Sequence, residues 1–173
     1  WTVLGDPTEA AMRIAAAKGG LDLEAEDKSS PRLRELAFDS RRKRMSTIHE
    51  AGERTGQGRS LEKRLLAFVK GAPREMLALC TRLAVNGEDR PLSDHERERI
   101  MNANDDYAGH GLRVLAVALR RLPEGFLDFT PETVERDLTF LGLMAMMDPP
   151  RPEVSAAVKK CRQAGIRIIM MTG

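Results

Sequence analysis

Leu65-Leu66-Ala67-Phe68-Val69-Lys70-Gly71-Ala72-Pro73 is the stretch on which the fold turns. Its unbroken apolar run reads as a buried strand. Lys70 then sets a charge at the rim of a sheet, where an amine can reach a ligand. Gly71 can let backbone approach a ligand closely. Pro73 lacks an N–H and has a fixed φ, so it suits the first turn of a helix carrying Met76, Leu77 and Cys80. The positive end of that helix suits an anion. Taken singly, the stretch also fits an ordinary strand-to-helix turn with an exposed lysine.

Toward the N-terminus, Leu36–Asp39 and Met45–His49 read as two strands around a basic turn, followed by a glycine-bearing loop over Glu50–Lys63. Before them, Asp22–Arg34 is a polar stretch. Asp6-Pro7-Thr8-Glu9 opens a helix that runs to Lys18 and stops at Gly19-Gly20, with Asp6 as cap and Glu9 at the capping-box position. Toward the C-terminus, Leu83–Arg90 is a hairpin around Asn86-Gly87. Ser93-Asp94-His95-Glu96 caps a polar helix reaching Tyr107. Leu112–Leu119 and Leu138–Met147 are further strands, separated by a loop over Pro123–Pro131.

Asp148-Pro149-Pro150-Arg151-Pro152 fits neither a helix interior nor a central strand, which makes it the expected domain boundary. This divides the chain into residues 1–147 and 148–173. Beyond it, Val154, Ala157, Val158 and Cys161 share a helical face, Gly165 ends that helix, and Ile166–Met171 reads as a buried parallel strand. A chain that starts at Trp1 and stops at Gly173 directly after a strand pattern reads as a piece of a longer protein.

Composition narrows the function. In 173 residues, 42 % are hydrophobic and 31 % charged, the balance of a globular chain with a real core. A net charge of +2 and 4 % aromatics argue against nucleic acid as a partner. No apolar run reaches the roughly 18–20 residues that cross a bilayer, so direct membrane insertion of this chain is not expected. Cys80 and Cys161 stand far apart and outside any metal-ligand spacing, which points to a reducing compartment and to no zinc site.

Two further segments carry candidate chemistry. In Phe38-Asp39-Ser40-Arg41-Arg42-Lys43-Arg44-Met45-Ser46, an aromatic and four consecutive bases lie between strands. An aromatic face can stack a purine while cations meet phosphate oxygens. A core Phe followed by a solvated basic turn fits the segment equally. Thr172, at the carboxyl end of a parallel strand pattern, stands where α/β sheets place ligand contacts. A rigid linker and an arbitrary Thr fit there too.

Together these segments resemble the P-type ATPase family, in wording closest to calcium-type and related bacterial cation pumps. Gly5-Asp6-Pro7-Thr8-Glu9-Ala10-Ala11-Met12 is similar to its first nucleotide-domain motif, and Phe38–Ser46 to its adenine-site motif. Lys70-Gly71-Ala72-Pro73 is similar to the lysine motif, and Gly111-Leu112-Arg113-Val114-Leu115-Ala116 to the arginine strand. Asp148-Pro149-Pro150-Arg151 resembles the hinge into the phosphorylation domain. Met171-Thr172-Gly173 resembles the second motif of that domain. The motifs stand in family order along nearly the whole chain.

The resemblance implies an α/β fold with a mixed, mostly antiparallel twisted sheet flanked by helices, followed by a βα element of a Rossmann-like, haloacid-dehalogenase-like domain. It implies a domain that binds ATP, as Mg-ATP in the intact pump, and presents it to a phosphorylatable aspartate outside this chain. The remaining domains of the same pump are its partners, on the cytoplasmic side of a membrane. Phe38 is expected to stack on adenine and Glu9 to meet its exocyclic amine. Lys70 and Gly71 line the deep end of the pocket, with Lys43 and Met45 shaping it. Arg113 approaches the phosphates and Leu115 the base. Arg42, Lys43 and Arg113 are expected to flank Lys70. Thr172 and Gly173 face the transferred phosphoryl group. The chain itself is assigned no metal ligand, and it is expected to bind ATP without turnover. The family's DKTGT aspartate and its downstream metal-holding aspartates are absent. The rival readings are a stand-alone haloacid-dehalogenase-type phosphatase fragment and an interaction module on the same fold.

Overall fold

A computed structural model describes residues 7–52, 63–147 and 151–171. Helix α1 (Pro7–Lys18) starts on its proline and stops at Gly19 and Gly20, the second of which has φ 86°. Helix α2 (Leu23–Ser29) follows, inside the stretch whose only reading is polar. Its signal is Asp22, whose carboxylate accepts from the amides of Glu24 and Ala25, backed by Glu24 and Glu26 in the first turn.

Strands β1 (Arg32–Asp39), β2 (Arg44–Gly52) and β3 (Lys63–Gly71) form an antiparallel run, and helix α3 (Pro73–Leu79) follows β3. Cys80, expected on that helix, instead opens β4 (Cys80–Val85). Asn86 and Gly87, at φ 52° and 85°, turn it into β5 (Glu88–Pro91). Helix α4 (Asp94–Gly109) carries the full Ser93–Glu96 capping box. Strand β6 (Arg113–Leu122), the single-turn α5 (Pro131–Val134), β7 (Leu138–Met146) and α6 (Pro152–Gln163) complete the order.

The strands make one seven-stranded sheet in the order β1-β2-β3-β6-β7-β4-β5. Every pairing is antiparallel except β4 with β7. The mixed, mostly antiparallel sheet with flanking helices is therefore as expected. Alternation along the strands separates its two faces. Ile48, Ala67, Val69, Ala116 and Ala118 are fully buried on one of them. There α3 brings Met76 and Leu77, α4 packs Ile100 and Met101, and the chain around α5 adds Val134, Phe126 and Phe129. Met45, Thr47, Phe68, Lys70 and Val117 alternate onto the opposite face, which α1 meets with Glu9 and Met12.

The stretch Ile166–Met171 corrects its expectation. Helix α6 forms, and Gly165 leaves it at φ 71°, but no strand follows. Ile169 and Met170 are 71 % and 86 % exposed. A parallel strand gains its backbone bonds and apolar cover from neighbours. Among the described residues, none lies beside this one. Residues 148–150 of the predicted hinge Asp148–Pro152, Asp6, the segment 53–62, Thr172 and Gly173 lie outside the described residues.

Candidate functional site

The turn between β1 and β2 is built by its own residues. Asp39 accepts from the amides of Arg41 and Arg42, both at 2.9 Å. Lys43 takes the left-handed conformation, φ 52°. The carbonyl of Lys43 accepts from Ala72 N–H at 3.0 Å, which ties the basic turn to the end of β3. Gly71 makes this approach possible. A Cβ there would stand 2.6 Å from Lys43 O and 2.5 Å from Arg44 Cβ. Its lack of a side chain serves the contact between the turn and β3, where the sequence reading had it admitting a ligand.

The basic run divides by partner. Arg42 Nη1 and Arg44 Nε donate to the two oxygens of Glu135 at 2.5 and 2.6 Å, and Ser46 Oγ donates to the same carboxylate at 2.7 Å. The Glu135 side chain is wholly buried. Lys43 Nζ turns to Glu75 Oε1 at 2.5 Å. Arg42 and Arg44 are thus structural, and Glu135, which no sequence signal marked, holds them. Burial pushes the Glu135 carboxyl up, but hydrogen bonds from Arg42, Ser46 and Arg44 outweigh it and leave it below the ordinary carboxylate value.

A depressed folded pKa contributes stability above the unfolded value of about 4.3 and loses it as pH falls through the folded value. The urea midpoint is therefore expected to fall steeply below about pH 4.3. Glu135→Gln should remove part of that slope. An identical slope in the variant would show that Glu135 takes no part in acid unfolding.

On the opposite face, Lys70 Nζ donates to Glu9 Oε1 at 2.7 Å. Around this pair opens a cleft of about 280 Å³, walled by Met12 of α1 and by Met45, Thr47, Phe68 and Val117 of the sheet. Apolar walls around a few convergent charges suit a small polar ligand with a flat apolar part. A hollow of about 450 Å³ beside α4, near Arg90, Tyr107 and Phe140, is roomier but holds none of the motif residues.

Of the expected site residues, Glu9, Met45 and Lys70 line the cleft. Leu115 stands two residues along β6 from Val117, on the same face. Phe38 lies next to the basic turn and is 64 % exposed. Arg113 Nη1 donates to Thr8 Oγ1 at 3.1 Å. Arg42, Lys43 and Arg113, the residues expected to flank Lys70, each have a hydrogen-bond partner of their own. They bind Glu135, Glu75 and Thr8, and the recorded partner of Lys70 is an anion. Cys80 is no candidate nucleophile: burial pushes its thiol up to about 12, against the pull of Arg97.

Residues 1–153 match the family model described as "P-type ATPase, cytoplasmic domain N". The chain belongs to the P-type ATPase family.

This N domain is 35 % identical over 170 residues to a calcium-transporting ATPase of Listeria monocytogenes, covering 98 % of the chain and 18 % of that protein. It is 39 % identical over 171 residues to the calcium-transporting ATPase of Bacillus subtilis, with the same coverage. To the sodium/potassium-transporting ATPase subunit alpha of Tetronarce californica it is 37 % identical over 185 residues, covering 99 % of the chain and 17 % of that subunit. The N domain thus spans about a fifth of the length of such relatives. Its identity to the sodium/potassium pump lies between those to the two calcium pumps, so identity does not select an ion.

Proposed function

We propose that this N domain holds ATP in the cleft between α1 and the sheet. In a longer cation-translocating P-type ATPase, on the cytoplasmic side of a membrane, it would present the γ-phosphate to an aspartate outside this chain. The observation that carries the reading is the Lys70–Glu9 pair at 2.7 Å, set in a cleft walled by Met12, Met45 and Val117. The cation and the anion can part to address opposite ends of one ligand. Lys70 then meets a phosphate oxygen and Glu9 accepts from the exocyclic amine of adenine. Phe38 offers an open ring face for the base, and Met45 and Leu115 supply apolar contact. In this reading Lys43 and Arg113 leave Glu75 and Thr8 to bring charge to the phosphates, while Gly71 keeps the lysine motif against the turn.

Phosphoryl transfer is mostly positioning and charge neutralisation, and this domain supplies the positioning. Among the described residues, no group of three or more His, Cys, Asp or Glu could hold a metal ion. Magnesium would therefore arrive on the phosphates. Thr172 and Gly173 would meet the transferred group, in a second unit that begins near residue 148. The other pump domains are the partners in this reading. Among the described residues, no helix is long and apolar enough to cross a membrane.

Isothermal titration is expected to show weak binding of ATP to this chain, little altered by magnesium, with no turnover. A strict magnesium requirement would contradict the assignment of the contacts to base and side chains. Phe38→Ala is expected to weaken binding by about 1–3 kcal/mol, the scale of a base stacked on an aromatic. A folded variant that binds ATP as the parent does would show that the exposed ring is not the platform.

A further inference from the structure

We propose that Glu135 is a positioning residue of the nucleotide cleft: by gripping Arg42, Arg44 and Ser46 together it fixes the β1–β2 turn, and through that turn the places of Phe38 and Lys43. The inference rests on the reading of the cleft as an ATP site. Glu135 follows α5, 93 residues from Arg42 in sequence, and its side chain is wholly buried. The Arg42 and Arg44 side chains are only 22 % and 16 % exposed.

The grip reaches the proposed ligand contacts by short paths. Arg42 uses Nη1 on Glu135 and Nη2 on the carbonyl of Ala37 at 2.8 Å, the residue before Phe38. Arg44 binds Glu135 through Nε and the carbonyl of Arg42 through Nη1 at 3.0 Å. One carboxylate thus braces both sides of the turn. Lys43 stands between the two arginines in a left-handed conformation that a non-glycine residue keeps only where its surroundings enforce it. Two of the four bases, Arg42 and Arg44, are spent on this brace, so within the run only Arg41 and Lys43 are left to offer charge to phosphate.

Glu135→Gln tests the idea, because the amide keeps the size and the Ser46 contact but loses the anion. ATP and adenosine are titrated into the parent and variant chains at a temperature where both are folded, and the amide resonances of Phe38 and Lys43 are followed. The variant is expected to weaken ATP and adenosine alike, roughly ten-fold, as a displaced stacking platform would. The Phe38 and Lys43 amides should shift, while those of α4 stay in place. If Glu135→Gln does not fold, Arg42→Lys replaces it. That change keeps the charge but cannot reach both Glu135 and the Ala37 carbonyl, and the same joint weakening is expected. A folded variant with lower thermal stability but unchanged affinity for both ligands overturns the inference alone. A parent chain that binds neither ligand overturns the ATP reading and this inference with it.

Discussion

Gly71→Ala is expected to lower stability by about 2–3 kcal/mol, the upper part of the range for overpacking a tight contact. The added methyl would stand 2.5 Å from Arg44 Cβ, 2.6 Å from Lys43 O and 2.9 Å from Arg44 Cα. Two of those atoms are backbone and cannot rotate away. The turn cannot retreat cheaply either. Lys43 O is held by Ala72 N–H, Asp39 O by Lys43 N–H at 2.7 Å, and the flanking arginines by Glu135. Relief must come from pushing β3 and β2 apart at Gly71–Arg44, one register step from Lys70 and Met45. Urea denaturation of parent and variant gives the loss directly, and ATP affinity should fall with it. A change within about 0.5 kcal/mol, as for an ordinary surface site, would mean that the turn yields and Gly71 is not needed for the contact.

Lys70→Ala separates binding from folding. It is expected to reduce ATP affinity by about 1.5–3 kcal/mol, the range for a hydrogen bond to a charged group. It also leaves Glu9 without its cation in the cleft. Stability should change far less. The Lys70 and Glu9 side chains are 23 % and 48 % exposed, and an ion pair so open to water contributes at most about 1 kcal/mol. Titration with ATP and urea unfolding of the same preparation make the comparison. Equal affinities would remove Lys70 from the site. A stability loss larger than the affinity loss would make it a structural residue.

Much of the fold was legible because the deciding residues act on near neighbours. Asn86-Gly87 has the left-handed conformations its hairpin requires, Ser93 and Glu96 close a cap within one turn, and Pro7 and Pro73 begin helices. The apolar run before Lys70 became the third strand of the sheet. Where the reading failed, the cause was distant. Glu135 sits in a short polar stretch between the expected loop and the strand from Leu138, where no motif points to it, and its partners are some ninety residues away. The same separation hid the true partners of the basic run, which composition alone presents as uniformly available to phosphate. Ile166–Met171 has the composition of a buried strand, but composition cannot supply the neighbouring strands that would bury it.

At the cleft, the motifs placed Glu9, Met45 and Lys70 together, while the pairing of Glu9 with Lys70 follows only once α1 lies across the sheet. Whether the two carboxylate-bound lysines, Lys70 on Glu9 and Lys43 on Glu75, exchange their partners for phosphate is the step on which the ATP reading depends. Amide chemical shifts of the ¹⁵N-labelled chain, followed during titration with ATP, test it most directly. Saturable shifts are expected at Glu9, Phe38, Lys43, Met45, Lys70 and Val117, with the residues around Arg90, Tyr107 and Phe140 unmoved. Shifts confined to that second hollow, or no saturable shift at millimolar ATP, would contradict it.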